Sequence, residues 1–306
     1  MAKEREPLFC VAAGEKGSGK TWYTKNVLID NYVRGSVDVP PRKVLIIDIN
    51  NEYPYRTLQV VANENYNSIM LFNKQSIIEA RKVSVFKNNG DRKTPNELKS
   101  DLSIILKHFK NGLIVIEDIN KIMSDNVSSE IFGYLCVNRH SDQDLCINVQ
   151  NIGRAGHPKI KSTMNILRLH HVKESAWRHE SKFEDDTHII RLGQLIVNNR
   201  FDLGIKKKVE LENKGIFKGN KTYDMWDVLY TKFFVYINFD KDIITGNFSK
   251  EEFENAAYDY IYENEAYTIT PLLKKRDRKS GKLSYNYTTA VDKCIQDLIL
   301  KHYGNK

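Results

Sequence analysis

The feature that most constrains this chain is a phosphate-binding loop of the form G-x-x-x-x-G-K-T at residues 14–21, directly after an apolar run at residues 8–13. Glycines let consecutive backbone N–H groups turn toward phosphate oxygens, and the following helix presents its positive end to the same anion. The lysine of this motif reaches the β- and γ-phosphates, and the hydroxyl after it ligates Mg²⁺. The sequence therefore predicts a site for ATP and Mg²⁺. The residues predicted to hold them are Gly14, Gly17, Ser18, Gly19, Lys20 and Thr21.

Size and charge limit the fold classes and partners to consider. A chain of 306 residues is long enough for one large domain and a smaller appendage. The net charge of +8 favours an anionic partner such as nucleic acid. Basic residues exceed acidic ones by six within residues 274–306 alone, so we expect a basic C-terminal tail.

Cysteine and histidine spacing argues against disulfide and zinc chemistry. The four cysteines form no C-x-x-C pair, and none of the eight histidines has a cysteine at metal-ligand spacing. The N-terminus has no apolar leader, and no segment approaches the roughly 18 apolar residues of a membrane span. We therefore expect a reduced, cytoplasmic protein without a membrane span.

Apolar runs alternate with helical patterns through about residue 172. Strands are predicted at residues 8–13, 43–48, 82–87, 112–118, 144–150 and 165–171, of which the segment 82–87 alternates and the others are apolar. Helices are predicted at residues 21–32, 94–109 and 128–137. This alternation predicts an α/β fold of the P-loop NTPase type, with a doubly wound, mainly parallel sheet flanked by helices.

The later part of the chain reads as additions to that core. A helical pattern covers residues 186–199, a strand is predicted at 233–239, and an acidic, tyrosine-rich helix with a Ser-x-x-Glu cap is predicted at 249–264. We therefore predict an ATPase core at residues 1–200. A C-terminal extension with a strand, an acidic helix and a basic tail is expected at residues 201–306.

The strand at residues 112–118 delivers two adjacent carboxylates, Glu117 and Asp118. A phosphate loop needs such a partner to hold Mg²⁺ and to orient an attacking water. By position, Glu117 is predicted to serve the metal with Thr21, and Asp118 the water. The order is the reverse of the usual Asp followed by Glu.

Further candidates flank the next strand. Asn148 and Gln150 lie at its end, and either is placed to reach the γ-phosphate or its attacking water; Gln150 is the preferred candidate. Arg139 precedes the strand. A guanidinium near the γ-phosphate stabilises the charge that develops during transfer, and such a group often comes from an adjacent subunit.

Together, the loop at residues 14–21, the acid pair, Arg139 and Gln150 resemble the FtsK-HerA family of DNA-pumping ATPases. The resemblance covers roughly residues 8–172 and implies that Arg139 is an arginine finger and Gln150 a sensor. Compact members of this family serve viruses and phages as packaging or morphogenesis ATPases. The resemblance thus implies a homo-oligomeric ring that moves double-stranded DNA without sequence preference. It further implies a capsid or portal docking partner, and a location in the host cytoplasm or virion.

Two other classes of function remain open on the sequence. One is a P-loop phosphotransferase acting on a small molecule, although no arginine-rich lid is evident. The other is an assembly factor or helicase loader in which nucleotide acts as a switch. A GTPase is disfavoured because Asn120-Lys121 is followed by Ile and Met, without the aspartate two positions after the lysine.

Overall fold

The computed structural model describes residues 7–37, 39–51, 55–61, 66–119, 133, 142–277 and 280–305. The chain forms two compact units, Met1–Ile166 and Leu167–Lys306. The domain boundary predicted after residue 200 falls inside one continuous helix, Thr187–Asn213. Residues 167–200, assigned to the core from sequence, thus belong to the second unit.

The first unit is built on parallel strands. Its described strands are β1 (Phe9–Ala13), β2 (Lys43–Asp48), β3 (Val60–Val61), β4 (Ala80–Val83), β5 (Gly112–Glu117) and β6 (Gln143–Val149). They lie in the order β3-β4-β2-β5-β6-β1, and every described pair is parallel. All residues of β1, β2, β5 and β6 are buried. The predicted α/β fold with a mainly parallel sheet is therefore confirmed.

Helices lie between several of these strands along the chain, as parallel pairing favours. Between β1 and β2 the chain is helical over Lys20–Tyr23, Thr24–Leu28 (a π-helical segment) and Ile29–Arg34. The other described helices of this unit are Tyr66–Lys74, Pro95–His108, Ile152–Ala155 and Pro158–Lys161. The helix predicted at residues 128–137 lies outside the described residues.

The position predicted for the third strand, residues 82–87, is wrong. The strand β4 ends at Val83. Beyond it, Phe86 forms only an isolated bridge with Arg92, and the N–H of Gly90 bonds to the carbonyl of Lys87. The parallel strand therefore ends at Val83, and residues 85–87 instead pair locally with residues 91–93 across a turn.

The second unit contains β7 (Ile166–His170), which begins at the boundary, followed by β8 (Phe234–Asn238) and β9 (Ile243–Gly246). The order is β7-β8-β9, and β8 and β9 are antiparallel. Its described helical segments are Ala176–His179, Glu180–Phe183, Glu184–Asp186, Thr187–Asn213, Lys221–Trp226, Asp227–Thr231, Lys250–Glu263, Ile269–Leu273 and Tyr287–His302. The predicted acidic helix begins with the expected capping box of Ser249 and Glu252. The basic tail, in contrast, includes a 16-residue helix that the sequence did not predict.

None of the helices in the described ranges combines the length and the apolar character needed to cross a membrane.

Candidate nucleotide site

The phosphate loop joins β1 to the helix that begins at Lys20. Gly17 and Gly19 have φ angles of 85° and 91°, a region that a residue with a Cβ adopts only with strain. A Cβ placed on Gly17 would meet nothing within 4 Å, so this part of the loop borders open space. Gly19 is the N-cap residue and supplies no side-chain cap. The backbone thus has the conformation and the room that a phosphate group needs.

The side chain of Lys20 folds back onto this loop. Its Nζ donates hydrogen bonds to the carbonyl oxygens of Gly14 at 2.5 Å and Glu15 at 2.8 Å. These contacts hold the ammonium group against the backbone that would surround the phosphates. The structure therefore places the predicted lysine beside the predicted loop.

Three polar residues occupy one register position on three neighbouring strands. Asp48 on β2 pairs with Glu117 on β5, and Glu117 pairs with Asn148 on β6. Their exposed fractions are only 2%, 3% and 2%. Side chains at matching positions of a parallel sheet point to the same face. The carboxyl ends of these strands therefore present a buried polar row, which is where ligand sites form in α/β sheets.

Glu117 is held by different partners at its two oxygens. Its Oε1 accepts hydrogen bonds from the Tyr55 hydroxyl at 2.5 Å and from Asn148 Nδ2 at 2.7 Å. Its Oε2 faces the hydroxyl of Thr21, which donates to it at 3.5 Å. Thr21 belongs to the phosphate loop, so the structure brings the loop and the first acid together as predicted.

The Tyr55 hydroxyl is protonated at neutral pH. Burial raises the pKa of Tyr55 well above its ordinary value, and the neighbouring Glu117 carboxylate adds to the shift. A protonated phenol is a hydrogen-bond donor, whereas a phenolate would repel the carboxylate. The contact between Tyr55 and Glu117 therefore has one polarity, with the hydroxyl donating.

Asp118 has a different environment from Glu117. Its φ of 51° places it in the left-handed region, where aspartate is among the tolerated residues. Gln150 Nε2 donates to both of its carboxylate oxygens, at 2.9 and 3.0 Å. Asn50 Nδ2 donates to its Oδ2 at 2.6 Å. The predicted sensor and the second acid thus lie in direct contact.

The residues present fit Mg²⁺ that arrives with a nucleotide. Among the described residues no group of three or more His, Cys, Asp or Glu side chains is placed to hold a metal ion. Mg²⁺ usually binds through one or two carboxylates, with substrate phosphates and water completing the shell. The hydroxyl of Thr21 and the carboxylate of Glu117 supply this donor set, and they are the two metal ligands that the sequence predicts.

Sequence reasoning found some contributors to this site and missed others. Arg139 lies outside the described residues. Asn148 was considered only for the γ-phosphate, whereas the structure has it on Glu117. Tyr55 was not considered at all, because it lies several residues beyond the end of β2 and belongs to no motif. Its tertiary contact with Glu117 is the signal that identifies it.

The second unit, Leu167–Lys306, carries a lysine cluster at residues 206–208 and the basic C-terminal tail. Lys206 and Lys207 are exposed on the helix Thr187–Asn213. Lys208 forms an ion pair with Glu212, with its Nζ 3.6 Å from Glu212 Oε1. In the tail, exposed lysines cluster around the turn near residue 280: Lys274, Lys275 and Lys282. Lysines on the following helix instead form ion pairs, Lys293 with Asp297 and Lys301 with Asp242.

Comparisons with known proteins found similar solved structures but no match to the sequence. No protein-family model and no curated protein matches the sequence. Similar solved structures include the genome packaging NTPase B204 from Sulfolobus turreted icosahedral virus 2 in complex with AMPPCP. That match has 14% identity and a TM-score of 0.46 over 78% of this chain and 95% of that chain.

Two further similar structures are of proteins named as ATPases. The DNA-packaging ATPase B204 from Sulfolobus turreted icosahedral virus matches with 13% identity and a TM-score of 0.47, over 79% of this chain and 97% of that chain. EccC (ATPases 2 and 3) from Thermomonospora curvata matches with 10% identity and a TM-score of 0.31, over 54% of this chain and 30% of that chain.

Proposed function

We propose that this chain is an ATPase that hydrolyses ATP with Mg²⁺ and uses the reaction to move double-stranded DNA. The observation that carries the enzymatic part is the contact between Thr21 Oγ1 and Glu117 Oε2 at 3.5 Å. It brings a phosphate-binding loop to a buried carboxylate whose neighbour, Asp118, is already bonded to a glutamine. A loop that only bound nucleotide would have no need of this second pair.

The reaction assigns a role to each group. In hydrolysis, a water oxygen bonds to the γ-phosphorus while the bond from that phosphorus to the β–γ bridging oxygen breaks, which gives ADP and phosphate. Lys20 would bind the β- and γ-phosphates, and Thr21 and Glu117 would hold Mg²⁺. When bound, Mg²⁺ neutralises charge that develops on the phosphate oxygens. Asp118 and Gln150 orient the attacking water, with Asp118 as its proton acceptor.

Charge supports DNA as the load. The chain carries +8 overall, and Lys274, Lys275 and Lys282 are exposed close together in sequence. Lysines bind the phosphate backbone without reading bases and release counterions, so such binding weakens with salt. Exposed ion pairs are worth little in water, so Lys293 and Lys301 remain available to an anionic partner.

Duplex DNA is expected to stimulate ATP hydrolysis by the purified protein. The triple variant Lys274→Ala, Lys275→Ala, Lys282→Ala is expected to keep its basal rate and lose much of the stimulation. Each lost phosphate contact should reduce the slope of log affinity against log salt by about 1. The matched control replaces three exposed lysines of the first unit, Lys74, Lys107 and Lys110. Both DNA stimulation and DNA affinity should be measured.

The outcomes separate the alternatives. Hydrolysis that DNA does not affect, together with phosphorylation of a small acceptor, would identify a phosphotransferase. Tight ATP binding with negligible turnover would identify a nucleotide switch. Equal losses in the tail variant and its control would contradict a DNA contact at residues 274–282.

The proposal includes a homo-oligomeric ring in which Arg139 acts across the subunit interface. Subunits carrying Arg139→Ala keep Lys20 and lack the finger, whereas subunits carrying Lys20→Ala keep the finger and cannot hydrolyse ATP. Mixing the two inactive proteins is expected to restore part of the activity, because the guanidinium then reaches the intact site of its neighbour. A size measurement must first show that both variants assemble as the wild type does. Mixtures that stay inactive would contradict a finger supplied in trans.

A further inference from the structure

We propose that Tyr55 is a positioning residue that determines which oxygen of Glu117 faces the phosphate loop and its cation. The inference rests on the proposed function, since it concerns how the metal-binding carboxylate is oriented. It adds a residue that no motif of the sequence identifies.

The two carboxylate oxygens of Glu117 have different hydrogen-bond partners. Two donors, the Tyr55 hydroxyl at 2.5 Å and Asn148 Nδ2 at 2.7 Å, converge on the same oxygen, Oε1. The other oxygen, Oε2, is the one that Thr21 Oγ1 approaches. A carboxylate that rotated by half a turn would exchange the two oxygens. Two donors fixed on one side define the plane of the carboxylate and point Oε2 toward the loop.

Of the two donors, Tyr55 is the one that packing holds in place. Its side chain is completely buried, with 0% exposed, and its ring packs in the cluster that includes Val44, Val115 and Cys146. A packed ring holds its hydroxyl in one place. Asn148 Nδ2, by contrast, also donates to Thr24 Oγ1 at 3.3 Å. Without the phenol, Oε1 would lose the donor whose position is fixed by packing.

The test is the Mg²⁺ dependence of ATPγS binding, which does not require turnover. For the wild type we expect Mg²⁺ to tighten ATPγS binding. In Tyr55→Phe, the Mg²⁺ concentration for half-maximal tightening should rise about 10- to 100-fold, the usual effect of losing a group that orients a metal ligand. Binding of ATPγS without Mg²⁺ should stay unchanged, because Lys20 and the loop are intact.

Tyr32→Phe is the matched control. The Tyr32 hydroxyl also donates to a buried carboxylate of this unit, Asp144 Oδ2, at 2.8 Å. Tyr32 is partly buried, and burial raises its pKa above the ordinary value as well, so both substitutions remove one oxygen from a protonated phenol. Asp144 lies at the opposite end of β6 from Asn148. Tyr32→Phe should therefore bind Mg²⁺ and ATPγS as the wild type does.

Asn148→Ala provides a second variant, because it removes the other donor to Oε1. It should shift the Mg²⁺ dependence in the same direction, and thermal unfolding should confirm that each variant is folded. Wild-type Mg²⁺ dependence in Tyr55→Phe would overturn the inference alone, as would an equal loss of ATPγS affinity with and without Mg²⁺. Failure of the wild type to bind ATPγS would instead overturn the proposed function, and the inference with it.

Discussion

Replacing Lys20 with alanine is expected to reduce ATP hydrolysis by about 10³-fold, equivalent to ~4 kcal/mol of transition-state stabilisation. The ammonium group lies against the carbonyls of Gly14 and Glu15, next to the position of the bound phosphates. Negative charge on those phosphates increases on the oxygens of the leaving group as the reaction proceeds. Removing the Lys20 ammonium group should therefore weaken both nucleotide binding and catalysis.

The measurement is steady-state hydrolysis together with ATPγS affinity. Both should fall in Lys20→Ala, because the lysine interacts with bound nucleotide as well as with the transition state. Lys25→Ala is the control, since Lys25 lies in the same stretch of helix five residues farther along and outside the loop. An unchanged rate in Lys20→Ala would exclude residues 14–21 as the catalytic phosphate site.

Replacing Asp118 with asparagine is expected to lower kcat by about 10²- to 10⁴-fold, the range typical for loss of a general base. Asparagine has nearly the same shape but does not accept a proton from the attacking water. ATPγS affinity should remain close to that of the wild type, because no predicted phosphate or metal contact involves Asp118. This separation of kcat from affinity distinguishes Asp118→Asn from Lys20→Ala.

Asp91→Asn is the matched control for this second prediction. Asp91 is an exposed aspartate that accepts a hydrogen bond from the Asn89 side-chain amide at 2.8 Å, so it repeats an amide-to-carboxylate contact away from the site. Its activity should equal that of the wild type. If Asp118→Asn hydrolyses ATP normally while Glu117→Gln binds Mg²⁺ normally but is inactive, the roles of the two acids are exchanged.

Much of the first unit is predictable because its strands are buried on both faces. Strands of that kind appear as unbroken apolar runs, and the bounds of β2 agree with the prediction at residues 43–48. The strand β4 is less well predicted since its sequence, Ala-Arg-Lys-Val, is only partly buried. Alternation of polar and apolar residues there did not fix where extension ends.

The second unit departs further from the sequence analysis. The helix predicted at residues 186–199 continues to Asn213, because the run of lysines that follows consists of good helix formers. The helix Tyr287–His302 was read as part of a basic tail, although Asn286 caps it with a capping box to Thr289. The segment was interpreted from its net positive charge, and the capping signal at Asn286 and Thr289 was missed.

The residues of the candidate site also differ in how well the sequence predicts them. Lys20, Thr21 and Glu117 are predictable because each belongs to a motif beside a strand end. Asn50 and Tyr55 contact the acid pair through tertiary placement of the segment that follows β2. Asn50 belongs to a polar cluster directly after a predicted strand, whereas Tyr55 lies beyond that cluster and has no sequence pattern that distinguishes it from an ordinary loop residue.

The most direct test of the account is a crystal structure of this protein with Mg²⁺ and ATPγS. The account predicts that the γ-thiophosphate group bonds to Lys20 Nζ and that the cation lies between Thr21 Oγ1 and Glu117 Oε2, with Tyr55 still donating to Oε1. A nucleotide bound away from the loop, or a Glu117 carboxylate turned away from the cation, would contradict it.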